Sequence, residues 1–477
     1  MTHRFQPLPD FPGFTSVDRE IRVDRLPVTG ALPGWLTGTL IRNGPGKFEV
    51  GDYRVRHWFN GLALLHAFCF RDGQVSYANR YVRSVAYQHA VEKEQLYGKQ
   101  FGPDPCASLF SRHFTEYAPN LADNAAISVT RIADRFVALS DAALPMEFDP
   151  RTLETRGVFE YGNSTPLGIC TPHPHRDFDH GGLFNYGTVM GEQSAYRVFM
   201  VPDGSTAQQV VATVPRREPC YMHSFGMTEN YLILAEFPVV LDPIQYLDLS
   251  QSVLECMRWE PERGTRFLIV DKRDGSIVRT LTTEGFFAFH HINAFERGGD
   301  VVLDITATRT PYETVLGLPP TTDQLDIERY GYSLRRYVLP LSAGPTEIEH
   351  QMLSTAQIEM PRINYARYNT KEYRYVYGLS RAPDARTLNQ LTKVDVVTGD
   401  TVSWYERGRF PGEPVFVAAP DSTREDDGVV LSAVLDVAKG TSFMLVLDGA
   451  TFGELARAEL PQHMPSDLHG DFFPDVV

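Results

Sequence analysis

The sequence predicts an all-β chain folded as a β-propeller, and three features lead there. Helical 3.6-residue periodicity is scarce, whereas short β-branched and aromatic runs recur from end to end. Those runs are separated by Asp-Gly or Gly-Asp turns, the pattern of antiparallel strands with tight connections. A weak repeat, in which a strand ends in aspartate, returns at Asp149, Asp271, Asp395 and Asp448, in steps of 122, 124 and 53 residues. Such steps suit one or two units of about 55–65 residues, each a sheet packed on its neighbours.

The clearest strands are Arg135-Phe-Val-Ala-Leu, Tyr231-Leu-Ile-Leu-Ala, Arg266-Phe-Leu-Ile-Val and Val429-Val-Leu-Ser-Ala-Val-Leu. Arg42-Asn-Gly-Pro-Gly46 reads as a structural turn, because it lacks the lysine and following helix of a phosphate loop. One helix is expected, Leu241 to Trp259, opening on a proline and carrying Ile244, Leu247, Val253, Leu254 and Met257. It would pack on a sheet edge or present an apolar patch to a membrane surface.

Composition narrows the function. Asp+Glu 60 against Lys+Arg 45 leaves a formal charge of −15, which disfavours nucleic acid or an anionic membrane as an electrostatic partner. Hydrophobic residues at 43% supply a sizeable core, and the 477 residues read as a single domain, 1–477. The most apolar run, Tyr231 to Leu241, contains Glu236. It is far shorter than the ~20 apolar residues of a spanning helix. Cys69, Cys106, Cys170, Cys220 and Cys256 are odd in number and never spaced as CxxC. They read as reduced thiols in a cytoplasmic protein, with no thiolate zinc site. The N-terminus has no apolar signal region.

Four of the fourteen histidines stand in apolar or turn contexts: His173, His223, His290 and His469. A lone buried histidine is more often a satisfied core residue than a ligand. The first three, however, are 50 and 67 residues apart, about one propeller unit each. Four neutral imidazoles suit a first-row transition ion such as Fe, Cu, Ni or Zn. An all-histidine set leaves the ion's charge uncompensated, so carboxylates accepting the outer imidazole N–H are expected. Asp141, Glu359 and Glu413 lie in apolar contexts suited to that role. His290 and His291 are adjacent, and neighbouring side chains of a strand face opposite sides. At most one of them can therefore point at a given centre.

Several motifs together resemble the carotenoid cleavage oxygenases over nearly the whole chain. They are Arg42-Asn-Gly-Pro, Trp58-Phe-Asn-Gly, His173-Pro, His223-Ser-Phe-Gly-Met-Thr-Glu-Asn, Phe289-His-His-Ile-Asn, Glu359-Met-Pro-Arg-Ile-Asn and Glu413-Pro-Val-Phe-Val. Each is modestly specific; their order makes chance a poor explanation. The wording around His223 is closest to the β-carotene oxygenase and retinoid isomerase branch.

The resemblance implies a seven-bladed β-propeller with a helical and loop cap over an iron-bearing face. It implies a non-haem Fe(II) held by His173, His223, His290 and His469. Asp141, Glu359 and Glu413 would stand behind His223, His290 and His469 respectively. Asp141 departs from the family's glutamate, one methylene or about 1.5 Å short. Its bond to His223 would need a backbone shift or a bridging water, and Asp141→Glu is expected to keep or raise iron occupancy. The implied activity is O2-dependent cleavage of a conjugated C=C of a carotenoid or apocarotenoid into two carbonyl products. The partners would be a lipophilic polyene and O2, with no nucleic acid, and a peripheral membrane contact through residues 239–259. Alternatives are a stilbene-cleaving dioxygenase of the same fold, a retinoid isomerase-hydrolase, or a non-enzymatic propeller that binds partners on its face. Stilbene-cleaving relatives hold the phenol with a Lys and a Tyr, and Arg80-Tyr-Val-Arg-Ser-Val-Ala-Tyr87, where the Lys is sought, has none.

Overall fold

Antiparallel sheets of four to six strands follow one another along the chain, each too small to bury both faces by itself. The computed structural model describes residues 11–102, 123–141, 144–163, 167–248, 251–311, 331–383, 385 and 387–477. Cys106 lies outside these residues. Seven sheets act as blades. Their innermost strands are Gly470–Phe473, Ser128–Ile132, His175–Asp177, Gly226–Met227, His291–Arg297, Glu359–Arg362 and Val415–Ala418. All strand pairing within them is antiparallel, so each blade closes locally by short turns, as the alternating runs predict. The architecture is a seven-bladed β-propeller.

The two ends of the described chain close the ring. Val28–Gly30 adds to the outer edge of the seventh blade against Glu454–Glu459, with Val28 opposite Ala458. Gly470–Phe473 becomes the inner strand of the first blade against Gly38–Lys47, with Arg42 opposite Gly470. Between blades lie apolar layers. The largest gathers Phe225, Leu234, Phe267, Phe286, Leu303 and Tyr337 from the fourth and fifth blades and their surroundings.

The aspartate repeat occupies one structural position. Asp271, Asp395 and Asp448 end the third strand of the fourth, sixth and seventh blades, and Asp149 directly follows that of the second. Asp448 Oδ1 accepts the N–H of Ala450 at 3.1 Å and of Thr451 at 2.7 Å. Asp395 does the same for Val397 and Thr398, Asp149 for Arg151 and Thr152, and Asp271 for Arg273. This is the Asx turn that lets a short polar side chain replace a backbone partner. The residue four places on has φ near +60° to +80°: Leu153 (+58°), Gly275 (+73°), Gly399 (+81°) and Phe452 (+60°). Leu153 and Phe452 accept that left-handed conformation because their side chains are buried in inter-blade cores.

Helix is sparse, and the single helix expected over 241–259 does not form. Val239–Leu241 pairs instead with Met257–Trp259, and between them stand a short helix, Pro243–Leu247, and the single turn Leu254–Cys256. Asp242 caps the helix through the N–H groups of Ile244 and Gln245, and Pro243 takes the first helical position. The start signal was therefore real, but strand pairing across the segment claims both of its ends. Residues 249–250 lie outside the described set. A nine-residue helix, Val85–Lys93, begins at Ser84, whose Oγ accepts the Tyr87 N–H. No described helix is long and apolar enough to cross a membrane.

Arg42 to Gly46 does not turn. It runs inside the ten-residue strand Gly38–Lys47. Its glycines answer to close approach: a Cβ on Gly44 would lie 2.6 Å from Asp467 Cα, and one on Gly46 would lie 2.4 Å from Leu64 Cβ.

Candidate metal centre

Each blade contributes one chemically distinctive side chain at the same end of its sheet. His469, His173, His223 and His290 stand one to three residues before the inner strands of the first, third, fourth and fifth blades. Glu359 opens the inner strand of the sixth blade, and Glu413 precedes that of the seventh. Asp141 follows the second strand of its blade, Arg135–Leu139. In an antiparallel pair, the end of the second strand meets the start of the first. The seven residues therefore converge on the axis although they span 329 positions, from 141 to 469.

The four imidazoles form one cluster, with one ring nitrogen from each within 4.8 Å of the others. The Nε2 atoms of His173 and His223 are 3.0 Å apart, and those of His290 and His469 are 3.2 Å apart. The rings of His173 and His469 meet edge to face at 4.5 Å. Behind three rings stand the three carboxylates. His223 Nδ1 lies 3.1 Å from Asp141 Oδ1, His290 Nδ1 3.0 Å from Glu359 Oε2, and His469 Nδ1 2.8 Å from Glu413 Oε1. Those contacts put the proton on Nδ1, where it donates to the carboxylate, and leave the Nε2 lone pair aimed at the shared centre. For His290 and His469, both backed by a carboxylate, two lone pairs 3.2 Å apart repel unless a cation lies between them. Metal–imidazole bonds of about 2.1 Å set at right angles give nitrogen separations of roughly 3 Å, so the donor set fits a transition ion.

Electrostatics agrees with neutral ligands. Burial, then the neighbouring imidazoles, holds His173 well below the ordinary histidine value. Burial brings His469 down to about 4 against the opposing pull of Glu413. Burial pushes Glu413 up, but Arg362, His469 and Arg42 outweigh it and keep this carboxyl well below the usual range.

Asp141 reaches His223 directly, with no need of the bridging water that was one of the two expected ways for a shortened side chain to make this bond. Its own carbonyl accepts the Cys170 N–H at 3.1 Å, which ties Asp141 to the third blade just before His173. His291, on the other side of the strand from His290, binds Ser224 Oγ through Nδ1 at 2.8 Å.

Two contributors were missed by reading the sequence. Arg42 is wholly buried, donates to Glu413 Oε2 at 2.7 Å and to the Leu468 carbonyl at 2.9 Å, and pairs with Asp467. It anchors both His469 and the carboxylate behind it. Only its place in the Arg42-Asn-Gly-Pro motif marked it. Tyr221 adds its hydroxyl beside Asp141 and His223. Around His223 the walls are aromatic: Phe59 stacks on it at 6.2 Å, Phe289 meets it edge-on at 4.9 Å, and Phe101 packs on Phe59 at 5.1 Å.

The profile of the family described as RPE65, retinal pigment epithelial membrane protein, matches residues 14–474. Human β,β-carotene 15,15'-dioxygenase is 34% identical, the alignment covering 95% of this chain and 92% of that protein. Carotenoid isomerooxygenase of Galleria mellonella is 34% identical, over 94% of this chain and 93% of its own. Among solved structures, a threonine-to-alanine mutant of Synechocystis ACO superposes with a TM-score of 0.87 at 26% identity, covering 97% of this chain and 98% of that one. A cobalt-substituted Synechocystis ACO gives 0.85 at 26% identity, with coverage of 97% and 98%. The chain belongs to the RPE65/carotenoid oxygenase family.

Proposed function

We propose that this chain is a non-haem Fe(II)-dependent dioxygenase that cleaves a conjugated C=C of a carotenoid or apocarotenoid. One O2 is consumed, and each carbon of the broken bond leaves as a carbonyl. The observation that carries the reading is the convergence of four imidazole Nε2 atoms, three of them backed by carboxylates on Nδ1. His173, His223, His290 and His469 would hold the ion, with Asp141, Glu359 and Glu413 orienting three of them. Bound ferrous iron supplies the electron chemistry that lets O2 react with a double bond.

The protein's share is positioning. Asp141, Glu359 and Glu413 retain the three Nδ1 protons and so keep each ring's lone pair directed inward. Phe59, Phe101 and Phe289 form an apolar face that excludes water and accepts a polyene by its flat surface. No side chain at the centre need act as a general acid or base. The names of the relatives support the class: β,β-carotene dioxygenases, a carotenoid isomerooxygenase and mitochondrial carotenoid-cleaving dioxygenases.

A peripheral membrane contact through residues 239–259 fits a lipophilic substrate, because Ile244 and Leu247 on the short helix are 79% and 56% exposed. Unpaired Cys69, Cys170, Cys220 and Cys256 suit a reducing, cytoplasmic setting. The test is product analysis by mass spectrometry after iron-loaded protein is incubated under O2 with carotenoids, apocarotenals and stilbenes. Paired carbonyl fragments from a polyene are expected. Cleavage of stilbenes alone would move the substrate class. No cleavage, with metal absent and all four His→Ala variants unchanged, would leave a binding propeller.

A further inference from the structure

The Tyr221 hydroxyl occupies the corner between Asp141 and His223. Its oxygen lies 3.2 Å from Asp141 Oδ1 and 3.1 Å from His223 Nδ1, and those two atoms are 3.1 Å apart. The three form a nearly equilateral triangle. Neither of the other histidine–carboxylate pairs has a phenol: Glu359 is held by Thr306 Oγ1 and the Met360 N–H, Glu413 by Arg42 and the Gly470 N–H. Asp141 Oδ1 takes the Tyr221 hydroxyl instead, while among the described residues its Oδ2, like Glu359 Oε1, is buried without a hydrogen-bond partner.

The protons of the triangle can be counted. With His223 Nε2 turned to the centre, Nδ1 carries a hydrogen. That hydrogen is shared between Asp141 Oδ1 and the phenol oxygen, while the phenol gives its own hydrogen to Oδ1. The Nδ1–Oδ1 separation of 3.1 Å stands beside 3.0 Å for His290–Glu359 and 2.8 Å for His469–Glu413. We infer that Tyr221 and Asp141 work as one unit to orient His223, the phenol fixing Asp141 Oδ1 and His223 Nδ1 from the third corner of the triangle. Tyr221 is thus a positioning residue, and the inference rests on the histidine cluster being a metal centre.

The hydroxyl is placed by packing. Tyr221 is buried, its N–H donates to the Val239 carbonyl at 2.8 Å, and its ring stacks on Phe287 at 6.3 Å and 11° while abutting Phe101. Phenylalanine at 221 keeps those contacts and removes the oxygen alone.

The test titrates Co(II) into the metal-free full-length chain and follows affinity, the visible Co(II) spectrum and thermal unfolding. Tyr221→Phe should weaken Co(II) binding about tenfold and alter the spectrum, at the lower end of the ~10–100-fold cost of losing a group behind a ligand. Tyr337→Phe, which removes a buried hydroxyl away from the centre, should leave both unchanged. Asp141→Glu in the Tyr221→Phe background should recover most of the lost affinity, because the longer acid reaches Nδ1 through the space the hydroxyl vacated. Wild-type affinity in Tyr221→Phe overturns the inference, as does a double variant that binds no better than Tyr221→Phe alone. If the wild-type chain takes up no Co(II), or His290→Ala takes it up normally, the metal reading fails and this role fails with it.

Discussion

His290 and His291 are chain neighbours whose rings serve different partners. His290 Nδ1 lies 3.0 Å from Glu359 Oε2, with its Nε2 in the histidine cluster, whereas His291 Nδ1 lies 2.8 Å from Ser224 Oγ. The chain enters an inner strand here, and alternation sends successive side chains to opposite sides. His290→Ala should abolish metal uptake, measured as bound iron after anaerobic purification. His291→Gln should keep the iron and lose about 1 kcal/mol of stability, the worth of one buried hydrogen bond. Equal iron loss in the two variants would undo the division.

Lys393 stitches the sixth blade to the seventh. Its Nζ donates to Asp426 Oδ2 at 2.8 Å and to the carbonyls of Gly449 and Ala450, each at 2.9 Å, with both charged side chains under a tenth exposed. Lys393→Met should cost ~1.5–3 kcal/mol in chemical denaturation, because it removes the buried partner of Asp426 and leaves only the more exposed Arg424 on its Oδ1. Burial raises the Asp426 pKa, but the bonds and charges of Lys393 and then Arg424 outweigh it and leave it below the ordinary 3.8. A depressed carboxyl pKa stabilises the fold above the ordinary value, and that stability is lost as pH falls through the folded value. Wild type should therefore lose stability more steeply than Asp426→Asn as pH drops below 3.8. Parallel acid-unfolding curves would contradict this.

Phe59 covers one face of His223. Phe59→Ala should leave bound iron unchanged and raise KM for a polyene about 10–30-fold, the equivalent of ~1.5–2 kcal/mol of lost aromatic contact. Loss of iron in this variant would instead make Phe59 part of the metal site's support.

Ile244 and Leu247 stand out from Pro243–Leu247 into solvent. Ile244→Ser with Leu247→Ser should cut co-sedimentation with neutral phosphatidylcholine vesicles several-fold, while turnover of detergent-dispersed substrate persists. Neutral vesicles are the proper probe for a chain of charge −15. Undiminished co-sedimentation would remove residues 239–259 from the contact.

Much of the fold was legible because its units are local. Asp149, Asp271, Asp395 and Asp448 each bond to amides two or three residues on, so the turn is written within five residues and shows as a repeat. The strand runs around Tyr231, Arg266 and Val429 were readable for the same reason.

The sequence by itself determined the propeller-like succession of strands and, through motif order, the set of four histidines and three carboxylates. The tertiary structure decided what depends on partners distant in the chain. Val239–Leu241 and Met257–Trp259 pair across the segment that local signals marked as one helix. Arg42 reaches Glu413 and Asp467, respectively 371 and 425 residues away, from a strand that reads locally as a glycine-rich turn. Tyr221 meets Asp141 only because the second and fourth blades turn their inner ends to one axis. Short-range hydrogen bonds leave a periodic trace in the sequence, whereas contacts made by closing a ring of sheets leave none.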